Sequence, residues 1–443
     1  MKSWEWIYTA HRIFAGMTLT PEGYRRRLAE DNIRDSLKSA GAVSIEGPKG
    51  CGKTWCARSL SNSEYSLVDP ENNFINLRIA KEDPVAVLEG EEPHLIDEWQ
   101  DVPKIWDAVR FAVDKEGRKG RFILCGSSSS DKAKRSHSGA ARIVDVKMQT
   151  MSLYESGDSV GTVSLKGLFD GDFRTVKVKS PGLEGISWLV VRGGWPNLLD
   201  SEEKTVRLLL SDYISKICEE DAQKVDGKKR DVAKLKRLFR SLARNESTMA
   251  TKKKLAADIT QYEDETLDND TVNDYLDVLD KLHMIEDQSA YSPNYRSSVR
   301  VGKNPKRHLA DPSLAAAALG MDRKALKNDP KTLGFLFEAL CERDLRIYAG
   351  TFGGEVYHYR DHSDREIDAV VELKNEGWGA FEIKLGQESI DEAAKDLIKI
   401  RNFMRNDEDA VEPRFLCVIT GLGSAAYMRE DGVYVVPISA LGP

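Results

Sequence analysis

The sequence predicts an α/β fold in three successive parts: a domain built on a parallel sheet, a helical middle module, and a smaller α/β domain at the end. Three observations carry this. The turn GPKGCGKT (Gly47 to Thr54) sits between a strand-like run, AVSIE, and a helix-like run, TWCARSL. Helical periodicity dominates from about residue 232. After Leu333 the pattern becomes helix, three strands, helix and closing strands. A chain of 443 residues also exceeds what one hydrophobic core supports.

The turn fits G-x-x-x-x-G-K-[ST], the phosphate-binding loop. Gly47, Gly50 and Gly52 let the backbone of Gly47-Pro48-Lys49-Gly50-Cys51-Gly52 turn tightly and aim N–H groups at an anion. The helix that follows adds its positive N-terminal end. Lys53 is expected to reach the β- and γ-phosphates of ATP, and Thr54 to hold Mg²⁺. A second strand, His94-Leu95-Ile96, ends in Asp97 and Glu98. Asp97 is expected to hold Mg²⁺ through water, and Glu98 to polarise the attacking water. A third strand, Phe122-Ile123-Leu124, runs into small hydroxyl residues, where Ser127 or Ser128 is placed to sense the γ-phosphate. Downstream, Arg142 reads either as an arginine that stabilises charge on that phosphate or as a solvated loop residue.

YRRRL, the loop, LIDEWQDVP, FILCGSS, SGAARI…MSLYE and GGWP (Gly193 to Pro196) occur in that order. This series resembles a bacterial and archaeal family of AAA-type ATPases with a C-terminal domain of unknown function, numbered 4143. The resemblance spans most of the chain and implies an AAA-type nucleotide domain that binds, and hydrolyses, ATP.

In the middle, Val232, Leu235, Leu238 and Leu242 share one helical face. TKKKLAADI predicts a second helix. TVNDYLDVLDKLHMI predicts a third, with Val272, Leu276, Leu279 and Leu282 or Met284 inward. With SAYSPNYRSSVRVGKN as a two-stranded wing, these suggest a winged-helix module. Glu263 to Asp280 carries eight acidic residues and no basic one, a poor face for phosphates. Basic residues gather instead between Lys228 and Lys254 and around the wing, Arg296 to Arg307, which keeps DNA contact open. Packing of the acidic helix against that basic surface is the competing reading.

At the end of the chain, Glu382 and Lys384 form E-x-K on one strand, so both side chains share a face. Asp368 lies on the preceding strand and Glu338 on the first helix. The set resembles the PD-(D/E)XK nuclease superfamily, which implies a restriction-endonuclease-like α/β domain. The resemblance further implies that Asp368 and Glu382 hold one or two Mg²⁺ or Mn²⁺ ions. Lys384 would orient water or stabilise the phosphate, and Glu338 would complete the metal shell. In the first reading the nucleotide state gates this domain as a nuclease acting on DNA; the alternative is a nucleotide-dependent binding module in which a catalytically degenerate nuclease fold serves as a protein-interaction surface. No proline precedes Asp368; Glu366 and Ile367 stand there.

The expected layout is an extension over 1–20, an ATPase domain with lid and linker over 21–200, a winged-helix-like module over 201–325, and the nuclease-like domain over 326–443. Residues 1–16 read as an extension left by start-codon choice, or as a surface arm, and lack the apolar core of a secretion signal. The net charge of -7 excludes wholesale coating of nucleic acid. Six scattered cysteines without metal-site spacing read as reduced thiols of a cytosolic protein. No apolar run reaches the ~20 residues that cross a membrane.

Overall fold

The computed structural model describes residues 19–126, 138–260, 269–294, 297–361, 363–406 and 410–443. The extension therefore lies almost wholly outside the described residues, as do Ser127, Ser128, Arg296 and the acidic stretch 261–268. The chain divides into two units, Met1–Met148 and Gln149–Pro443.

Unit 1 is a five-stranded sheet in the order β2-β3-β4-β1-β5, with β1 Ala42–Glu46, β2 Ser63–Ser66, β3 His94–Asp97, β4 Phe122–Cys125 and β5 Ile143–Lys147. Every neighbouring pair is parallel. The central strands are short continuous apolar runs because helices cover both faces. Ile33 and Leu37 of the helix Ala29–Ser39 pack with Val43 and Ile45. Ile105, Trp106, Val109 and Val113 of Lys104–Glu116 pack with Ala42, Phe122 and Leu124. Register aligns Ile45 with Cys125 and Cys125 with Asp97. The phosphate loop and the acidic end of β3 therefore leave the same edge of the sheet.

Unit 2 holds a seven-stranded mixed sheet, β7-β12-β13-β11-β10-β9-β8. Its members are β7 Val176–Lys177, β8 Gly354–Arg360, β9 Glu366–Leu373, β10 Gly377–Lys384, β11 Phe415–Thr420, β12 Ala425–Met428 and β13 Tyr434–Pro437. The helix Ile390–Arg405 buries Ala394, Leu397 and Ile400 against Val370, Ala380 and Val418 of this sheet. A two-stranded sheet joins β6, Val163–Ser164, to β14, Leu441–Gly442.

The sequence groups residues 160–200 with the first domain as a lid. The structure places them in unit 2, where β7 pairs with β12 and β6 with β14. β6 and β7 are each two residues long, too short to show any periodicity.

The three middle helices are Val232–Arg244, Lys252–Thr260 and Asn269–Lys281. Leu235, Leu238, Leu242, Val272, Leu276 and Leu279 are buried as the periodicity requires. Antiparallel bridges join Ile285 to Leu309 and Gln288 to Lys306, on either side of the stretch expected to form a wing. Asp274 of the third helix accepts from Lys228 at 2.9 Å and Arg230 at 2.8 Å. Lys236 pairs with Glu219, Arg244 with Asp258 and Arg300 with Glu372. Much of the basic surface is thus already matched by acids of its own unit. All six cysteines are buried and free. Among the described residues no helix is long and apolar enough to cross a membrane.

Candidate nucleotide site and a second charged cluster

The loop between β1 and the helix Lys53–Leu60 needs its glycines. Gly52 caps that helix with a φ of 102°, a region costly for other residues. A Cβ at Gly47 would stand 2.0 Å from the Met148 carbonyl oxygen. Lys53 is buried, and its Nζ donates to the carbonyls of Gly47 at 2.8 Å and Pro48 at 2.9 Å. Pro48 and Cys51 are buried, whereas Lys49 and Gly50 are exposed at the tip. The Thr54 hydroxyl donates to Asp97 Oδ1 at 3.1 Å. Burial, and then the neighbouring Glu98 charge, push the Asp97 carboxyl up to about 6. A hydroxyl and a carboxylate are hard oxygen donors, and Mg²⁺ in phosphate sites takes few protein ligands. The pair therefore fits the ion.

Glu98 leaves β3 with a φ of 56°, an uncommon left-handed conformation for glutamate. Gln100 donates to its carboxylate. Backbone held in such a conformation is characteristic of active sites. Arg27 was not among the expected site residues. It is buried, its guanidinium donates to the Cys51 carbonyl at 2.6 Å, and its own N–H donates to Glu30 at 3.1 Å. It thus ties the preceding segment to the loop. Its signal in the sequence is YRRRL, which singles out no one of its three arginines.

Arg142 requires correction. Its carbonyl accepts from Ala42 N–H, at the start of β1, and its guanidinium pairs with Asp114 at 2.6 Å. The phosphate loop leaves the other end of the same five-residue strand, roughly 16 Å away at strand rise. Arg142 does not face the phosphate loop of its own chain.

Residues 39–156 match the model of an AAA domain, and residues 333–441 that of a domain of unknown function, DUF4143. The chain carries an AAA domain and a DUF4143 domain. Between them, residues 184–325 match a second domain of unknown function, DUF8612. An uncharacterized protein of Mycobacterium tuberculosis and one of Mycobacterium bovis are each 27% identical over 365 residues, spanning 81% of this chain and 74% of theirs. Among solved structures, a Walker-type ATPase of Pyrococcus abyssi is 12% identical, with 68% of this chain and 97% of that one covered and a TM-score of 0.42. The replication initiator DnaA bound to AMPPCP and single-stranded DNA is 14% identical, covering 61% and 93%, with a TM-score of 0.29.

The DUF4143 domain gathers Glu338, Asp368, Glu382 and Lys384. Lys384 Nζ lies 2.6 Å from Glu382 Oε2 and 3.2 Å from Asp368 Oδ2, which also accepts the Ile383 N–H at 2.8 Å. A fifth residue enters, from the basic stretch around the expected wing. Lys306 Nζ stands 2.8 Å from Glu338, 3.4 Å from Glu366 and 3.8 Å from Asp368 Oδ1, and its side chain is 2% exposed. Burial raises Glu338 and Glu382 above the ordinary carboxylate range. Asp368 falls below that range despite burial, because Lys306 and Lys384 face it. Among the described residues no group of three acidic, histidine or cysteine side chains is disposed to hold a metal ion. With ammonium groups lodged against its carboxylates, the expected second site for Mg²⁺ or Mn²⁺ does not fit that ion as it stands.

GGWP serves packing within unit 2. A Cβ at Gly193 would stand 2.2 Å from Asp311 Oδ1, and one at Gly194 2.0 Å from the Met151 carbonyl. Gly194 N–H donates to Asp311 at 3.0 Å and the Trp195 indole to Ser313 at 3.0 Å. Asp311, fully buried, also pairs with Arg343 at 2.9 Å and accepts from Thr150 at 2.6 Å.

Proposed function

We propose that the chain binds and hydrolyses Mg²⁺-ATP at Gly47–Thr54 and uses the nucleotide state as a switch on its C-terminal domain. The observation that supports this most is the meeting of Thr54 and Asp97 at 3.1 Å beside the buried Lys53, where β1 and β3 end together. In this reading Lys53 exchanges two neutral carbonyls for β- and γ-phosphate oxygens, a stronger charge-assisted pairing. Loop N–H groups and the helix end face the same anion. Thr54 and Asp97 hold Mg²⁺, which neutralises phosphate charge when bound. Glu98, fixed by Gln100, orients the attacking water. Labelled-ATP binding tests the site: Lys53→Ala is expected to lose at least about 100-fold in affinity, and undiminished affinity would remove the assignment.

For the C-terminal domain the charged cluster supports the reading of a degenerate nuclease fold used to bind a protein partner. The runner-up, a nuclease gated by nucleotide and acting on DNA, draws on the convergence of Glu338, Asp368, Glu382 and Lys384. Incubating the full chain with Mn²⁺ and DNA, with and without ATP, separates the two. Nicking that Asp368→Ala abolishes would reinstate the nuclease; intact DNA in both nucleotide states supports the binding module.

A further inference from the structure

The acids of the nuclease-like cluster are in place, yet the cation among them belongs to the protein. Lys306 is delivered from outside the domain's own sheet. Its backbone exchanges hydrogen bonds with Gln288 at 2.8 and 2.9 Å. The Gln288 side chain reaches over to the backbone carbonyls of Tyr357 at 2.9 Å and Asp368 at 3.3 Å. The lysine is therefore held from two sides, with its ammonium against Glu338 and Asp368.

We infer that Lys306 is a tethered counter-cation that fills the position a divalent ion would take in this cluster and pins the 306–309 segment to the C-terminal sheet. The inference rests on reading Glu338, Asp368 and Glu382 as a nuclease-type acid set. Three features argue for it. First, the three carboxylates nearest Lys306 come from a helix and a strand, Glu338 from Pro330–Gly350 and Glu366 and Asp368 from β9. A single ammonium placed where separate elements bring their acids together does what a bound ion does for a folded site. Second, Lys384 supplies the E-x-K lysine separately, so Lys306 is additional to that motif. Third, both Asp368 oxygens are engaged, Oδ2 by Ile383 N–H and Lys384, Oδ1 facing Lys306. A free ion must displace a cation whose effective concentration is set by the chain itself. Removing the charge at 306 leaves the acids mutually repelling and opens the position.

The test counts bound Mn²⁺ by electron paramagnetic resonance on the full chain without nucleotide, alongside DNA cleavage. Wild type and Asp368→Asn are expected to bind the same amount of Mn²⁺. Lys306→Met is expected to gain one Mn²⁺, about tenfold or more tighter than any wild-type site, and to lose it in Lys306→Met/Asp368→Asn. Lys306→Gln, which keeps an amide donor for Glu338, serves if the methionine variant fails to fold. A wild-type Mn²⁺ site that disappears in Asp368→Asn overturns the inference whatever the variants do. So does a folded Lys306→Met or Lys306→Gln that binds none. If neither variant folds, equal binding by wild type and Asp368→Asn supports it. Cleavage is read separately: Mn²⁺ bound by Lys306→Met without nicking sustains the tethered cation while ending the nuclease reading.

Discussion

Two buried lysines show how different the two units are. Lys53 rests on two neutral backbone carbonyls, at 2.8 and 2.9 Å. Lys306 rests on carboxylates of a helix and a strand, at 2.8 to 3.8 Å. A buried ammonium with only carbonyl partners gains when an anion arrives. One already facing carboxylates has nothing to gain. The first arrangement suits an anion; the second already holds its counter-charges.

The sharpest way to break this contrast is to remove each lysine in turn. Lys53→Ala should abolish ATP binding while leaving urea unfolding close to wild type. Lys306→Ala should leave ATP binding intact and destabilise unit 2 by about 3–5 kcal/mol, because acids are left buried and uncompensated. Similar phenotypes for the two variants would dissolve the distinction.

Within unit 1, Glu98→Gln should bind ATP normally and turn it over about 100-fold or more slowly, since only the carboxylate is lost. Phosphate release at the wild-type rate would move the catalytic role to another residue.

Acid sharpens the contrast in sign. Burial, and then Lys306, hold His358 down at about 4 from 6.5. Its contribution is present above pH 6.5 and is lost as pH falls toward 4, about 3 kcal/mol in all. His358→Leu should flatten that limb for unit 2. Asp97 runs the other way, raised from 3.8 to about 6. Its ionisation costs stability that accumulates as pH rises from 3.8 to 6, again about 3 kcal/mol. Asp97→Asn should therefore stabilise unit 1 at pH 7 and make no difference below pH 3.8. Denaturant midpoints across pH 3.5–7.5 check both. The smallest expected effect is Arg142→Ala, which should leave ATP turnover and stability at wild-type levels; a marked loss of turnover would return this arginine to the γ-phosphate.

What was legible in the sequence follows from distance along it. The phosphate loop needs eight consecutive residues with local backbone demands, so its motif announces both geometry and chemistry. The carboxylates of β3 and the E-x-K pair of β10 are also local. Lys306 reaches Asp368 across 62 residues, and a lysine in a basic stretch ordinarily marks a solvated face. Gly193 answers to the Asp311 carboxylate and Gly194 to the Met151 carbonyl, so GGWP shows that glycine is required without showing by what. Arg142 follows a loop, and the order of residues does not say at which edge of a sheet a loop returns.

The pairing of β6 with β14 has a consequence for synthesis of the chain. Ser159 Oγ donates to the Leu441 carbonyl across 282 residues, and Val163–Ser164 waits for Leu441–Gly442. At ~5–20 residues per second, that wait is on the order of 15–55 s. Unit 1 is complete on the ribosome before it begins. The segment from residue 149 to Phe169 emerges early with Leu165 and Phe169, both buried at the end, and Phe169 must wait for Phe352 and Phe415, on which it packs. Until then the nascent protein is a completed first unit followed by a segment whose strand β6 still lacks its partner.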